Sequence, residues 1–91
     1  MGLKNTTVCL GYQQITTLSS AASLTVPAGA TFALIICQTQ AVRWRDDGTA
    51  PSATVGMPLA VGTLLEYDGD LKRIQFFQQA ASAALNIAYY A

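Results

Sequence analysis

The sequence predicts an all-β fold: a compact antiparallel β-sandwich or jelly roll of about seven or eight short strands. Residues that favour turns recur at short intervals along the chain, which is the pattern of many short strands. Between these turns, apolar and polar residues alternate with the two-residue period of a half-buried strand. The chain has 91 residues, enough for one core, so residues 1–91 are expected to form a single domain.

Six segments carry the strand pattern, and a further one around Cys9 is also strand-like. In the segment 41–45, Val42 and Trp44 are expected to face the core, while Arg43 and Arg45 share the outer face. In the last segment, residues 85, 87 and 89 oppose residues 86, 88 and 90 in the same way. The six predicted strands are 24–26, 31–39, 41–45, 63–67, 71–78 and 84–90.

The connections between these strands are predicted from their turn residues. Pro27 is followed by Gly29, a combination that favours a turn, and the pairs Asp47-Gly48 and Asp68-Gly69 suit turns that need a positive φ. Residues 78–84 contain four alanines, which favour a helix. Seven residues make less than two helical turns and their flanks are β-like, so we expect a loop there.

The composition predicts a thin core and a surface partly covered by a partner. Apolar residues make up 52% of the chain, but many of them are alanine. Charged residues are only 11% and the net charge is zero, so we expect no nucleic-acid partner and no anionic membrane surface. No signal peptide is visible, and the longest strongly apolar run, 32–37, is much shorter than a membrane span. A homo-oligomer is expected because a chain of this length with a thin core is helped to stay folded by neighbours. The cover by a partner is expected because a near-zero net charge promotes association.

The residue types argue against an enzyme. Histidine is absent, which removes the usual general base and every triad that depends on it. Two separated cysteines without histidine do not make a zinc site, so no metal and no cofactor is expected. A weak calcium site at the acidic turns stays open, although Asp-Gly-Asp lacks the ligand series of a calcium loop and turn carboxylates commonly bond backbone amides. The acidic residues concerned are Asp46, Asp47, Glu66, Asp68 and Asp70.

The two cysteines are predicted to be buried free thiols. Cys9 and Cys37 both lie in apolar, strand-like segments, where a thiol behaves as a small apolar group. A single disulfide is the alternative.

The candidate contact residues lie in two groups. Arg43 and Arg45 are expected to pair with carboxylates from the set Asp46, Asp47, Glu66 and Asp68, an arrangement that would fix the geometry of a partner. Aromatic anchors are frequent in interfaces, and Phe77 and Tyr90 each fall on the face opposite the main apolar set of their strand. Burial of Phe77 and Tyr90 under a loop is the alternative. The predicted interface residues are Arg43, Arg45, Asp46, Asp47, Phe77 and Tyr90.

Four segments, 11–14, 24–30, 41–59 and 85–90, together resemble small all-β structural proteins encoded among the head genes of tailed bacteriophages and prophages. The stretch from Val42 to Pro51, Val-Arg-Trp-Arg-Asp-Asp-Gly-Thr-Ala-Pro, is the most distinctive part. The resemblance implies a capsid decoration or cement protein, or another minor virion component, without catalysis. A decoration protein would be made in the host cytoplasm and would bind the major capsid protein on the head surface. By the same analogy the oligomer would be a trimer.

A second function fits the same fold. A carbohydrate- or receptor-binding β-sandwich of a tail or head fibre would need an exposed aromatic ring in a concave site. Trp44 and Tyr67 are the rings that would serve.

Overall fold

The fold is known from a computed structural model, which describes residues 8–91. Within this range the chain forms eight β-strands and no helix. No described residue belongs to a helix long and apolar enough to cross a membrane. The strands are β1 (Cys9–Ile15), β2 (Ala22–Ser23), β3 (Phe32–Gln38), β4 (Val42–Arg45), β5 (Met57–Leu59), β6 (Leu64–Tyr67), β7 (Gln75–Gln78) and β8 (Ala84–Tyr90).

The strands form two antiparallel four-stranded sheets with the connectivity of a jelly roll. Sheet 1 has the order β1-β8-β3-β6 and sheet 2 the order β2-β7-β4-β5. Strand β1 pairs with β8, β2 with β7, β3 with β6, and β4 with β5. This pairing arises when a long antiparallel hairpin rolls up on itself. The rolled hairpin forms two sheets that pack face to face. The predicted fold class is therefore confirmed.

The inner faces of both sheets supply a common core. Val42 and Phe76 of sheet 2 are fully buried, as are Ile35 and Ile87 of sheet 1. Along β8 the side chains alternate between this core and the outer face, as predicted, and in β4 Val42 and Trp44 pack on the core. The largest fully buried side chains are Tyr89, Phe76, Leu18, Ile35, Ile74, Leu85, Ile87, Val42 and Cys37.

The predicted strands differ from the observed ones in several places. The strand-like segment around Cys9 extends to Ile15 as β1, and the two-residue strand β2 was not predicted. Residues 24–26 are not a strand, because the amide of Thr25 donates to the side-chain oxygen of Gln13 and not to a neighbouring strand. Strand β7 begins only at Gln75, because the amides of Arg73 and Ile74 both donate to the carbonyl of Asp70 and close a turn. Strand β5 was not predicted at all; it is three residues long.

The turns follow the prediction except at Gly69. Gly29 and Gly48 both have a φ of 86°, as their turns require, and the segment after β7 is a loop. Gly69 does not have a positive φ, so that prediction is wrong. Glycine is needed there for space, since a Cβ would lie 2.6 Å from Cζ of Tyr67.

The thiols are free, as predicted, but only one of them is buried. Cys37 is fully buried, its Sγ lies 3.3 Å from the carbonyl oxygens of both Leu59 and Ala60, and burial raises its pKa. Cys9 is exposed, so its predicted burial is wrong. The reason is its place at the start of the edge strand β1, where the register shifts before Gly11.

Candidate functional site

The six predicted interface residues do not form one patch. Arg43, Arg45 and Phe77 lie on the outer face of sheet 2, where Arg43 stands opposite Phe77 across the strands. Tyr90 lies on the outer face of sheet 1, half-buried and stacked on Phe32 with ring centroids 5.4 Å apart. Because the core separates the two sheets, a single flat partner cannot contact both groups at once.

Arg43 holds the loop that connects β4 to β5, residues 46–56, against the sheet. Its Nε donates to the carbonyl of Ala53 at 3.2 Å and its Nη1 to the carbonyl of Gly56 at 2.9 Å. The predicted pairing of Arg43 with a carboxylate is therefore wrong. The reason is that the loop folds back over Arg43 and places the carbonyl oxygens of Ala53 and Gly56 within hydrogen-bonding distance of its guanidinium group.

Arg45 and Asp47 form an exposed ion pair, as the sequence predicted. Two nitrogens of the guanidinium donate to the two carboxylate oxygens, an arrangement that fixes the relative orientation of the side chains. Arg73 donates to the backbone carbonyl of Asp47 at 3.0 Å, which ties the loop to the turn before β7. The pair is in contact with solvent and remains accessible to a partner.

We expect the carboxyl group of Asp47 to titrate well below the ordinary aspartate value of 3.8. Hydrogen bonding from Arg45 lowers the pKa of Asp47 to about 2. A depressed pKa means that the pair is complete above this pH and is lost as the pH falls through about 2. Carboxyl chemical shifts followed by NMR should give this midpoint, and Arg45→Ala should move it towards 3.8. Arg43→Ala should leave it in place; an unchanged midpoint in Arg45→Ala would contradict the pairing.

Asp46, Trp44 and Tyr67 form a more enclosed cluster beside this pair. The Tyr67 hydroxyl donates to Asp46 at 2.5 Å, and burial together with this hydrogen bond raises the pKa of Tyr67, so the hydroxyl keeps its proton. The Trp44 ring meets Tyr67 edge-on with centroids 5.8 Å apart. Trp44 is half-buried against the core and Tyr67 is buried. Their packing fixes the end of the sandwich at which the loop 46–56 begins.

A shallow depression of about 250 Å³ opens next to this cluster. Its lining residues include Trp44, the Arg45–Asp47 pair and Met57. Tyr67 is only 7% exposed and does not line it.

The outer face of sheet 1 is largely apolar, and Tyr90 is the one predicted interface residue that lies on it. Ile36 and Leu64 are opposite each other and are 37% and 45% exposed, and Tyr12 is 65% exposed. These side chains alternate with the buried residues of their strands, which places them all on the outer face. The apolar residues of this face are Tyr12, Phe32, Leu34, Ile36, Leu64, Ala88 and Tyr90.

The sequence does contain a signal for this face. Residues 32–37, Phe-Ala-Leu-Ile-Ile-Cys, form an unbroken apolar run inside one strand, where a strand with a solvated face would alternate. Such a run indicates a strand that is covered on both sides.

A polar network crosses the apolar face through Asn86. Tyr12 and Gln14 of β1 both donate to its side-chain oxygen, and its amide nitrogen donates to Gln38 of β3 at 2.7 Å. These bonds link three neighbouring strands and hold the polar groups of the face in fixed positions.

Within residues 8–91, one charged side chain lies on this face, that of Glu66 opposite Leu34. Every charged residue except Lys4 lies between Arg43 and Arg73. In sheet 1 the only charged strand residue of the described range is Glu66, on the edge strand β6. The described residues include no group of three or more cysteine and acidic side chains placed to hold a metal ion.

Comparisons with protein-family models, with curated proteins and with solved structures gave no match to this chain. The site must therefore be interpreted from its own chemistry.

Proposed function

We propose that this protein is a non-enzymatic structural component of a bacteriophage or prophage particle, a capsid decoration or cement protein that stabilises the head. The observation that supports this most directly is the apolar, nearly uncharged outer face of sheet 1. The resemblance of the sequence to phage head proteins supports the assignment to a phage particle. The outer face of sheet 1 would be the surface that attaches to the capsid.

The size of the face fits an association surface. Four strands spaced about 4.8 Å apart, with up to seven residues rising about 3.3 Å each, give a face of roughly 400 Å². Contiguous apolar patches of about 300–600 Å² are the largest on ordinary monomers and frequently serve a function. The face also carries the polar side chains of Gln14, Gln38, Glu66 and Asn86. Covering its apolar part therefore contributes less than the roughly 10 kcal/mol that about 25 cal/mol per Å² would give for the whole face, before the costs of association.

The attachment would place the face of sheet 1 on the major capsid protein, across neighbouring subunits. Tyr90 and Ile36 would be covered in the contact, and the hydrogen-bonded amide of Asn86 would lie among them. Phe77 lies on the opposite sheet and does not share this contact. The Arg45–Asp47 pair at the end of the sandwich would set the registry against a further subunit.

The jelly roll is compatible with this role but does not determine it. The same architecture occurs in viral capsid proteins and in lectins, and functions are grafted onto folds through their surfaces. The proposal therefore depends on the face and on the sequence resemblance.

Co-sedimentation with capsids tests the proposal. Purified protein should bind capsids of the phage or prophage that encodes it and saturate at a fixed ratio to the major capsid subunit. A protein that stays in the supernatant at every concentration would contradict the proposal.

The second candidate is a carbohydrate- or receptor-binding module of a tail or head fibre, and the depression beside Trp44 is the observation that favours it. An indole next to an arginine–carboxylate pair offers stacking and hydrogen bonds to a sugar. The half-burial of Trp44 and the involvement of Asp46 and Asp47 in internal bonds both count against it.

Tryptophan fluorescence separates the two candidates, because Trp44 is the only tryptophan. For the decoration protein we expect an emission that no member of a panel of monosaccharides and oligosaccharides changes. A saturable change of the emission with one sugar would favour the fibre module.

A further inference from the structure

The four edge strands of the two sheets differ in how well they are protected from pairing with another strand. Strand β2 has two residues, β5 has three with Pro58 in its middle, and β6 has four with a charged residue, Glu66. Short length, proline and charge are the usual means by which natural sheets prevent edge-to-edge association. Strand β1 has seven residues, and none of them is charged or a proline. Its register shifts between Cys9 and Gly11, so the regular part of this edge is residues 11–15.

The backbone groups that β1 turns towards its free edge can be assigned. Val8 and Ala91 exchange both of their backbone hydrogen bonds. Antiparallel partners alternate between bonded and non-bonded pairs, so residues 89, 87 and 85 of β8 also bond to β1. Tyr12 and Gln14 face residues 88 and 86, which are non-bonded pairs. Their N–H and C=O groups therefore point away from β8, to the free edge.

The remaining described chain leaves this edge open. The neighbouring loop contacts β1 through the side chain of Gln13, whose oxygen accepts from the amide of Thr25 and from the hydroxyl of Tyr89. Within residues 8–91, no backbone hydrogen bond outside the ladder involves Tyr12 or Gln14. A depression of about 320 Å³ is bounded by residues 11–13 of β1 on one side and by Thr25 and Pro27 of the neighbouring loop on the other.

We propose that β1 is a self-association edge, and that a second copy of this chain pairs with it in antiparallel orientation about a twofold axis at Gln13. In this register Tyr12 of one copy lies opposite Gln14 of the other, and the outward N–H and C=O groups of both residues make four backbone hydrogen bonds. The two copies of sheet 1 then form one eight-stranded sheet.

A second copy is the occupant that this edge fits best. Tyr12 and Gln14 both face outward and are separated by one residue. In an antiparallel pair with a twofold axis at that residue, each of them lies opposite the other in the second copy, so the edge is complementary to itself. Residues 8–15 carry no charge, so no like charges meet at the axis. Pairing also joins the two outer faces side by side, which doubles the apolar surface described above without covering it.

This inference goes beyond the proposed function and does not depend on it. A twofold dimer also differs from the trimer that the phage resemblance implies, so the two expectations can be separated by mass. Capsid binding and dimer formation use different surfaces, the face and the edge of sheet 1, and each can fail without the other.

Sedimentation equilibrium of the purified full chain and of three variants tests the proposal. Gln14→Pro removes the N–H that points to the free edge, and proline is tolerated on an edge strand because the ladder to β8 loses no bond. Each copy loses one backbone donor, so the dimer loses two of its four interchain hydrogen bonds. We therefore expect the dimer dissociation constant to rise roughly 30-fold.

Two matched controls isolate the cause. Gln14→Ala removes the same side chain, with its bond to Asn86, but keeps the backbone N–H, so it should dimerise like the unmodified chain. Glu66→Pro places a proline at an outward N–H of the other edge of sheet 1 and should also leave the dimer unchanged. Equal dissociation constants for Gln14→Pro and Gln14→Ala would overturn the proposal.

Amide hydrogen exchange of the unmodified chain gives a test that does not depend on the folding of any variant. Raising the protein concentration should slow exchange at Tyr12 and Gln14 and leave Leu64 and Glu66, on the β6 edge, unchanged. A monomer or a trimer at all concentrations, or protection that appears at β6 instead of β1, would overturn the proposal.

Discussion

Replacing Ile36 with lysine is expected to reduce binding to capsids by roughly 100-fold or more, because it introduces an unpaired ammonium group into the centre of an apolar contact. Ile36 lies on the outer face of sheet 1 between Asn86 and Leu64. It is 37% exposed, so a lysine there can reach water in the free protein and the fold should be kept. Co-sedimentation over a range of concentrations measures the effect.

The matched control for this variant is Val55→Lys. Val55 is also a β-branched aliphatic residue, it is 52% exposed, and it lies in the loop 46–56 away from sheet 1. We expect Val55→Lys to bind like the unmodified protein. Equal loss of binding in both variants, or full binding by Ile36→Lys, would show that the face of sheet 1 is not the contact surface.

Replacing Phe76 with alanine is expected to lower the free energy of unfolding by about 3–5 kcal/mol, the usual cost of emptying a buried phenylalanine site. Phe76 is fully buried and lies between Ala22 of β2 and Trp44 of β4. A domain of this length has a total stability of only about 5–14 kcal/mol, so the loss is a large share. Guanidinium unfolding followed by Trp44 fluorescence measures it directly, because the indole packs beside the cavity.

The neighbouring residue supplies the control, since Phe77 points to the opposite face and is half-buried. Phe77→Ala removes the same ring from a site that solvent already reaches. We expect it to lower the free energy of unfolding by about 1–2 kcal/mol, less than half as much. Similar losses in the two variants would contradict the assignment of inner and outer faces in β7.

Local patterns in the sequence were sufficient to predict the strands in which apolar and polar residues alternate clearly. Strands β4 and β8 were found because Val42 and Leu85 begin regular inner and outer series, and the connection at Gly29 because proline and glycine allow few other conformations. Strand β5 could not be found in this way. It has only three residues, and one of them is Pro58. It is a strand only because it pairs with β4, from which it is separated by an eleven-residue loop.

The candidate site was harder to predict because it depends on long-range placement. Arg43 was expected to meet a carboxylate, and its actual partners are loop carbonyls ten and thirteen residues further along the chain. Cys9 was expected to be buried, but burial of an apolar segment depends on whether its strand lies at the centre or at the edge of a sheet. Pairing of the first strand with the last places β1 at the edge, and no local pattern carries that information.

Quantitative mass spectrometry of gradient-purified virions or induced prophage particles tests most directly the proposal that this chain is a shell component of a phage particle. The measured quantity is the number of copies of this chain per major capsid subunit. We expect a ratio near one, as for a decoration protein that covers the shell. A few copies per particle would contradict shell-wide decoration and favour the fibre module, and absence of the chain from purified particles would contradict the virion assignment altogether.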